Sequence, residues 1–130
     1  MRSLRHLALA AALLAGAAPA STAHAAVGRC PQWEQTLAAY APRGGWDVRR
    51  MSGLAWRESR CQADAVNRRG GDSGLLQIHP VSWPWLSASF GVRVNRAWLL
   101  DPVNNVRAAA RLCEFWRRAG KSCYQPWAVR

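Results

Sequence analysis

Groups able to do chemistry concentrate in one stretch, Gly53–Pro80, which carries Glu58 and a run of polar residues ending at His79. The chain has 7 acids. Glu34 and Glu114 fall on helix faces expected to be solvated, and Asp47 and Asp101 stand where helix caps belong. That leaves Glu58, Asp64 and Asp72. Acid-catalysed cleavage of a glycosidic bond ordinarily uses one protonated and one ionised carboxyl. Glu58 is the natural acid, and Asp72, set among Gly70, Gly71 and Gly74, is the candidate second carboxylate. Asp64 is nearer in sequence but suits a turn cap. Other chemistries lack their residues. Only His79 follows the first 25 residues, so no Ser–His–acid set is available and a nuclease lacks its apparatus. No phosphate loop is present, and the cysteine spacing fits neither a zinc site nor a CxxC redox pair. No metal and no cofactor are expected.

The elements that must position Glu58 follow from periodicity. Trp33, Leu37 and Tyr40 predict a first short helix over residues 32–40, stopped by Pro42, Gly44 and Gly45. Asp47 caps a second helix whose apolar stripe is Val48, Met51, Leu54 and Ala55. Glu58 continues that stripe at its C-terminal end. A carboxyl on the buried edge of a helix is conspicuous, because desolvation disfavours its charge. Residues 62–74 read as a loop rich in turn formers, and Leu75–Ile78 as a brief apolar element. Residues 70–78 have the makings of a small hairpin. Residues 81–90 suggest a short helix broken by Pro84, packing Trp83, Trp85 and Phe90 on the core. Asp101 and Pro102 open the last helix, whose predicted apolar face is Val103, Val106, Ala109, Ala110, Cys113 and Trp116, with Gly120 just past its end.

Length and composition set the frame. The 130 residues allow one domain. Arg2 and Arg5, the apolar run 7–18 and Ala23-His24-Ala25 form a secretory leader pattern, giving a signal peptide over 1–25 and a mature domain over 26–130. The run is too short to span a membrane, so no transmembrane anchor is expected. Export and an even cysteine count argue for two disulfides among Cys30, Cys61, Cys113 and Cys123. Of three pairings, Cys113–Cys123 is favoured because it closes a short loop at a helix end, leaving Cys30–Cys61. With Arg2 and Arg5 removed, 16 basic residues face 7 acids, a balance of +9. Such a domain is drawn to polyanions, which outside a cell means anionic wall polymers or headgroups rather than nucleic acid.

Glu58-Ser59, Ala65-Val66-Asn67, Gly70 and Gly74-Leu75-Leu76-Gln77-Ile78 with Pro80 together resemble the soluble lytic transglycosylase family of the lysozyme-like superfamily. Its signature runs E-S, A-x-S/N, then a glycine loop ending G-L-M-Q-I and often P. Asp101-Pro102, Asn105 and Ala108-Ala109 resemble its D-P-x-x-N-I-x-A-A helix start. The sequence departs from the pattern at Cys61, where the family has an aromatic, and at Ala63, where it has Pro. The loop 68–73 is one residue longer, and Tyr124-Gln125-Pro126-Trp127 stands where a Y-N-A-G segment is usual.

The resemblance implies a mainly α, lysozyme-like (α+β) fold, a compact helical domain with an irregular loop or small hairpin beside the catalytic helix. It implies cleavage of the MurNAc–GlcNAc β-1,4 bond of peptidoglycan with Glu58 as the sole catalytic residue, the substrate's N-acetyl group replacing a second carboxylate. Asn67, Ser73, Gln77 and His79 would line the glycan site, beside a plainer reading of turn chemistry for Asn67 and Ser73 and of a bond within the loop for Gln77. The expected protein is a secreted, periplasmic or wall-located monomer whose partner is the glycan strand. Two alternatives stand beside it: a hydrolase on the same fold with Asp72 positioning water, and a non-catalytic cationic wall-binding protein, which the charge and 8 tryptophans also permit.

Overall fold

A computed structural model describes residues 28–128, together with the isolated pair 16–17. The expected leader and its cleavage after Ala25 otherwise lie outside the described residues. Five α-helices carry the fold: α1 Glu34–Gly44, α2 Val48–Ser59, α3 Trp83–Phe90, α4 Arg96–Leu99 and α5 Pro102–Arg118. Short 3-10 turns precede α1 and α3, and a third, Gln125–Trp127, forms the tail. The domain is mainly helical, as expected. Among the described residues the only extended pairings are two isolated antiparallel bridges, Val66 with Ser73 and Ser73 with Ile78.

The caps form as the side chains dictate. Asp47 accepts the Arg50 amide at 2.8 Å, and Asp101 the Asn104 amide at 3.0 Å. Asn95 does the same for α4, accepting the Trp98 amide at 2.9 Å. Each bond satisfies a donor that the first helical turn leaves unpaired. Helix α5 packs along α1, which also packs on α2, while α4 and the tail turn lie on α5. Leu37, Met51, Leu75, Leu76, Leu86, Leu99 and Val106 are fully buried between these elements. Each such side chain contributes about 1.5–3 kcal/mol of burial free energy.

Both disulfides pair as favoured, Cys30 with Cys61 and Cys113 with Cys123. The first ties the segment before α1 to the turn after Glu58. The second ties the tail to α5.

The structure corrects three details. Pro42 does not end α1, which runs through it to Gly44. The proline removes one N–H from the last turn, and the stop comes instead at Gly45, at φ 69°, whose amide bonds the Ala41 carbonyl. Pro84 does not break α3. It lies in the first turn, where a missing N–H leaves no ladder bond unmade. Val103 is 47% exposed, just past the edge of the α5 stripe, and Asn105 takes an inward position.

Candidate active site

Glu58 stands in the last turn of α2, two residues before the backbone turns left-handed at Arg60 (φ 55°) and Cys61 (φ 64°). Its side chain is 9% exposed. Oε1 accepts from Arg57 Nη2 at 2.8 Å and Nε at 3.0 Å. The same Nη2 donates to the Trp127 carbonyl at 2.9 Å, so one guanidinium joins the acid to the tail. The Trp127 indole in turn donates to the Leu76 carbonyl at 2.8 Å. The acid on α2 and the loop at Leu76-Gln77 are thereby linked through residues 50 and more positions away in sequence.

The loop between α2 and α3 is folded on itself. Asn67 donates twice to Asp72, its backbone amide to the Asp72 carbonyl at 2.8 Å and its side-chain amide to Oδ2 at 3.4 Å. Asn67 Oδ1 accepts the amides of Arg69 and Gly70, so this exposed side chain shapes the turn. Asp72 is 5% exposed. Ser73 is fully buried, and its hydroxyl donates to the Gly71 carbonyl at 2.9 Å. Ser73 and Ile78 bond each other in both directions, at 3.2 and 3.0 Å, closing a minimal hairpin. At its tip Gln77 takes a left-handed φ of 49°. Its amide nitrogen donates to the carbonyls of Ala65 (3.0 Å) and Gly74 (2.9 Å). His79 is exposed, and its Nδ1 accepts the Val81 amide, starting the turn into α3.

Arg60, Cys61 and Gln77 are the only non-glycine residues with positive φ among those described. Such conformations cost of order 1–3 kcal/mol each and persist where the surroundings hold them. Here they directly follow the acid and mark the loop tip.

Asn105 holds the hairpin to α5. Fully buried, it accepts the Leu76 amide at 2.8 Å and donates to the carbonyls of Ser73 and Leu99, each at 2.9 Å. Gly74 is required by the same contact. It has φ 84°, and a Cβ there would overlap Asn105 Nδ2 and the Leu99 carbonyl. Asn105 belongs to the D-P-x-x-N segment, yet sequence reasoning gave it no role. The available signal was a polar residue on the apolar stripe of α5, the signal that singled out Glu58. Arg57, next to Glu58 in sequence, was readable as its ion-pair partner but not as the link to the tail; Trp127 was missed, and nothing local marks it.

Two open hollows flank the tail. One, of about 280 Å³, is lined by Gln77, His79, Leu112, Trp116 and Trp127. The other, of about 260 Å³, is lined by Gly53, Leu54, Arg57, Tyr124 and Trp127. Trp127 is a wall of both; Glu58 lines neither, and Arg57, a wall of the second, bonds Glu58 and the Trp127 carbonyl. Tyr124 packs at the opposite end of α2: its hydroxyl accepts the Asp47 amide at 3.2 Å and its ring lies 3.8 Å from the Arg50 guanidinium. Among the described residues no cluster of acids, histidines or cysteines has the composition of a metal site.

The remaining acids have other work. Glu34 accepts the Gly28 amide, and Glu114 pairs with Arg111 and Arg118, each at 2.8 Å. Arg111 bonding holds the Glu114 carboxyl below the usual glutamate range, with the Arg118 charge acting in the same direction.

Residues 35–120 match the family model of the transglycosylase SLT domain. The chain belongs to the SLT transglycosylase family. No curated protein and no solved structure matches it. Membership makes this a peptidoglycan-directed domain of lysozyme-like descent. Its two disulfides suit an oxidising, extracytoplasmic compartment. Among the described residues no helix is long and apolar enough to cross a membrane.

Proposed function

We propose that this domain is a lytic transglycosylase that cleaves the MurNAc–GlcNAc β-1,4 bond of peptidoglycan with Glu58 as its one catalytic carboxyl. The observation that carries the proposal is the placing of the acids. Within a domain of this family, Glu58 is the acid at the end of α2 with a side chain only 9% exposed, and it is bonded to Arg57, a wall of the second hollow. Asp47 and Asp101 cap helices, Glu34 and Glu114 are bonded elsewhere, and Asp64 is exposed.

Glu58 donates a proton to the glycosidic oxygen as the bond breaks, and the substrate's own N-acetyl carbonyl supports the cationic centre. The carboxylate so formed then takes the proton of the MurNAc 6-hydroxyl, whose oxygen closes a 1,6-anhydro ring. One group thus acts as acid and then as base. Gln77 and His79 border the glycan site, while Asn67 and Ser73 support it through the loop's internal bonds. Export to the periplasm, wall or medium, action as a monomer, and electrostatic attraction to anionic wall polymers complete the proposal.

Asp72 as a water-positioning second carboxylate gives the rival hydrolase. Its burial and its bonding with Asn67 favour a loop-holding role instead. Mass spectrometry of digested sacculi tests the choice. Anhydro-sugar ends that disappear in Glu58→Gln support the transglycosylase. Reducing ends that depend on Asp72 overturn it, and unchanged wall effects in Glu58→Gln point to a non-catalytic cationic binder.

A further inference from the structure

The hollow beside Gln77 and His79 opens onto an aromatic surface that the core does not need. Trp116 lines the hollow. Phe115, its neighbour on α5, stacks edge-on against it with centroids 5.5 Å apart. Trp85, from the first half of α3, meets Phe115 edge-on at 5.2 Å. Phe115 is 46% exposed and Trp85 37%, and Val81, which also lines the hollow, is 77% exposed. The three rings and Val81 make a continuous apolar strip leading from the site across the ends of two helices. The inward face of α5 is already filled by Val106, Ala109, Ala110 and Cys113, so Phe115 faces outward and meets Trp85 and Trp116 rather than the core. An apolar surface of this kind, contiguous with a binding hollow, marks a ligand surface.

The edge of the strip is cationic and ordered. The Arg111 guanidinium lies 5.6 Å from the Trp85 ring centroid and is fixed by Glu114 and by the Ser89 hydroxyl. A row of exposed rings with a fixed cation suits one polymer chemistry in particular. Pyranose rings present C–H faces to aromatic rings, their hydroxyls stay in water, and carboxylates attached to the sugars reach the guanidinium. We propose that Trp85, Phe115 and Trp116, with Arg111 at their edge, form a saccharide platform that holds the substrate glycan strand beyond the hollow at Gln77 and His79. The occupant is chosen by continuity, since a strand seated at Gln77 and His79 leaves the hollow past Trp116. The proposal rests on peptidoglycan being the substrate and gives the domain a preference for long strands over short fragments.

The test compares uncross-linked glycan strands with a peptidoglycan tetrasaccharide. Binding of strands is measured in the Glu58→Gln background, where turnover does not interfere, with and without Trp85→Ala or Phe115→Gln. Each added substitution is expected to weaken strand binding about tenfold, as truncation of an aromatic anchor does. Tetrasaccharide cleavage by the single variants Trp85→Ala and Phe115→Gln stays at the wild-type rate. Equal weakening on both substrates, or no weakening on strands, overturns the platform. So does a wild-type dimer that Trp85→Ala dissociates while strand binding is unchanged, because the strip is then a contact between copies. If the wild type cleaves nothing, the proposed activity fails, yet strand binding still decides the platform. Thermal unfolding verifies that each variant is folded, and if Trp85→Ala is not, Phe115→Gln alone decides.

Discussion

The two halves of the site are built in opposite ways. Glu58 is placed by a local element: a helix capped by the residue just before it, with the acid on a stripe set by residues four and seven positions before it. The facing loop has no local element to hold it. It keeps its shape through side chains sent inward to its own carbonyls, and through Asn105 and Trp127, which arrive from 29 and 51 residues away. One half is therefore robust to changes outside itself, and the other depends on distant anchors. Substitutions in the acid half should alter chemistry without stability. Substitutions at the anchors should alter stability first and chemistry through it.

The largest effect is expected at Glu58. Glu58→Gln keeps the volume and the helix but removes the transferable proton, so turnover of sacculi should fall by about a thousandfold, within the range for a general acid–base group. The melting temperature should stay close to that of the wild type. A variant that loses its fold together with its activity would show that the acid half is not independent, and the contrast would collapse.

Asn105→Ala probes the other half. It leaves the Leu76 amide and the Ser73 and Leu99 carbonyls without their partner in a fully buried place. The cost is about 3 kcal/mol, a Tm loss of about 15 °C in a domain of this size. Calorimetry reads this directly. Activity should fall as well, even at temperatures where the variant remains folded, because the Gly74–Ile78 hairpin loses its register. Retention of full activity in the folded variant would mean that the hairpin holds itself.

How much of this was legible in the sequence follows the same division. The stripe through Met51 and Leu54 to Glu58, the Asp47 and Asp101 caps and the Cys113–Cys123 pair were readable, because each depends on near neighbours or on a short loop, and Cys30–Cys61 followed by elimination. The prolines were misread because their effect depends on position within a turn: Pro84 stands where no amide is needed, and Pro42 stands one turn before the glycine that can adopt a left-handed backbone. For the polar loop residues the sequence left two roles open, lining a glycan site and bonding within the loop. The structure directs Ser73 and the Gln77 amide nitrogen inward, because a buried loop without a sheet ladder must satisfy its own carbonyls. The Arg57–Trp127–Leu76 connection is a tertiary event with no local pattern at all.

Trp127→Phe is a gentler test of the anchored half. The ring volume is largely kept while the indole bond to the Leu76 carbonyl is lost. A loss of about 1 kcal/mol is expected, with a several-fold fall in cleavage that exceeds what the small Tm shift explains. The Trp127 carbonyl remains to receive Arg57, so an effect as large as that of Asn105→Ala would make the tail, rather than α5, the principal anchor.

The smallest effect belongs to Glu114, which separates pairing with arginine from function. Like Glu58, it is a helical glutamate joined to arginines, here Arg111 and Arg118 on its own helix, but it lies in neither of the hollows beside the tail. Its carboxyl is held below the usual glutamate range, chiefly by the Arg111 hydrogen bond. A folded-state value below the unfolded one means that the pair's stabilisation is present above the unfolded value. It is lost as pH falls through the folded one. Glu114→Gln should therefore melt slightly below the wild type at neutral pH, and the gap should close in acid. Its tetrasaccharide cleavage should be unchanged, since no bond of Glu114 reaches the tail or the loop. A pH-independent gap would show that the lost stability comes from packing and not from the ion pairs. A drop in tetrasaccharide cleavage would extend the acid half to α5 and dissolve the boundary between a local half and an anchored one.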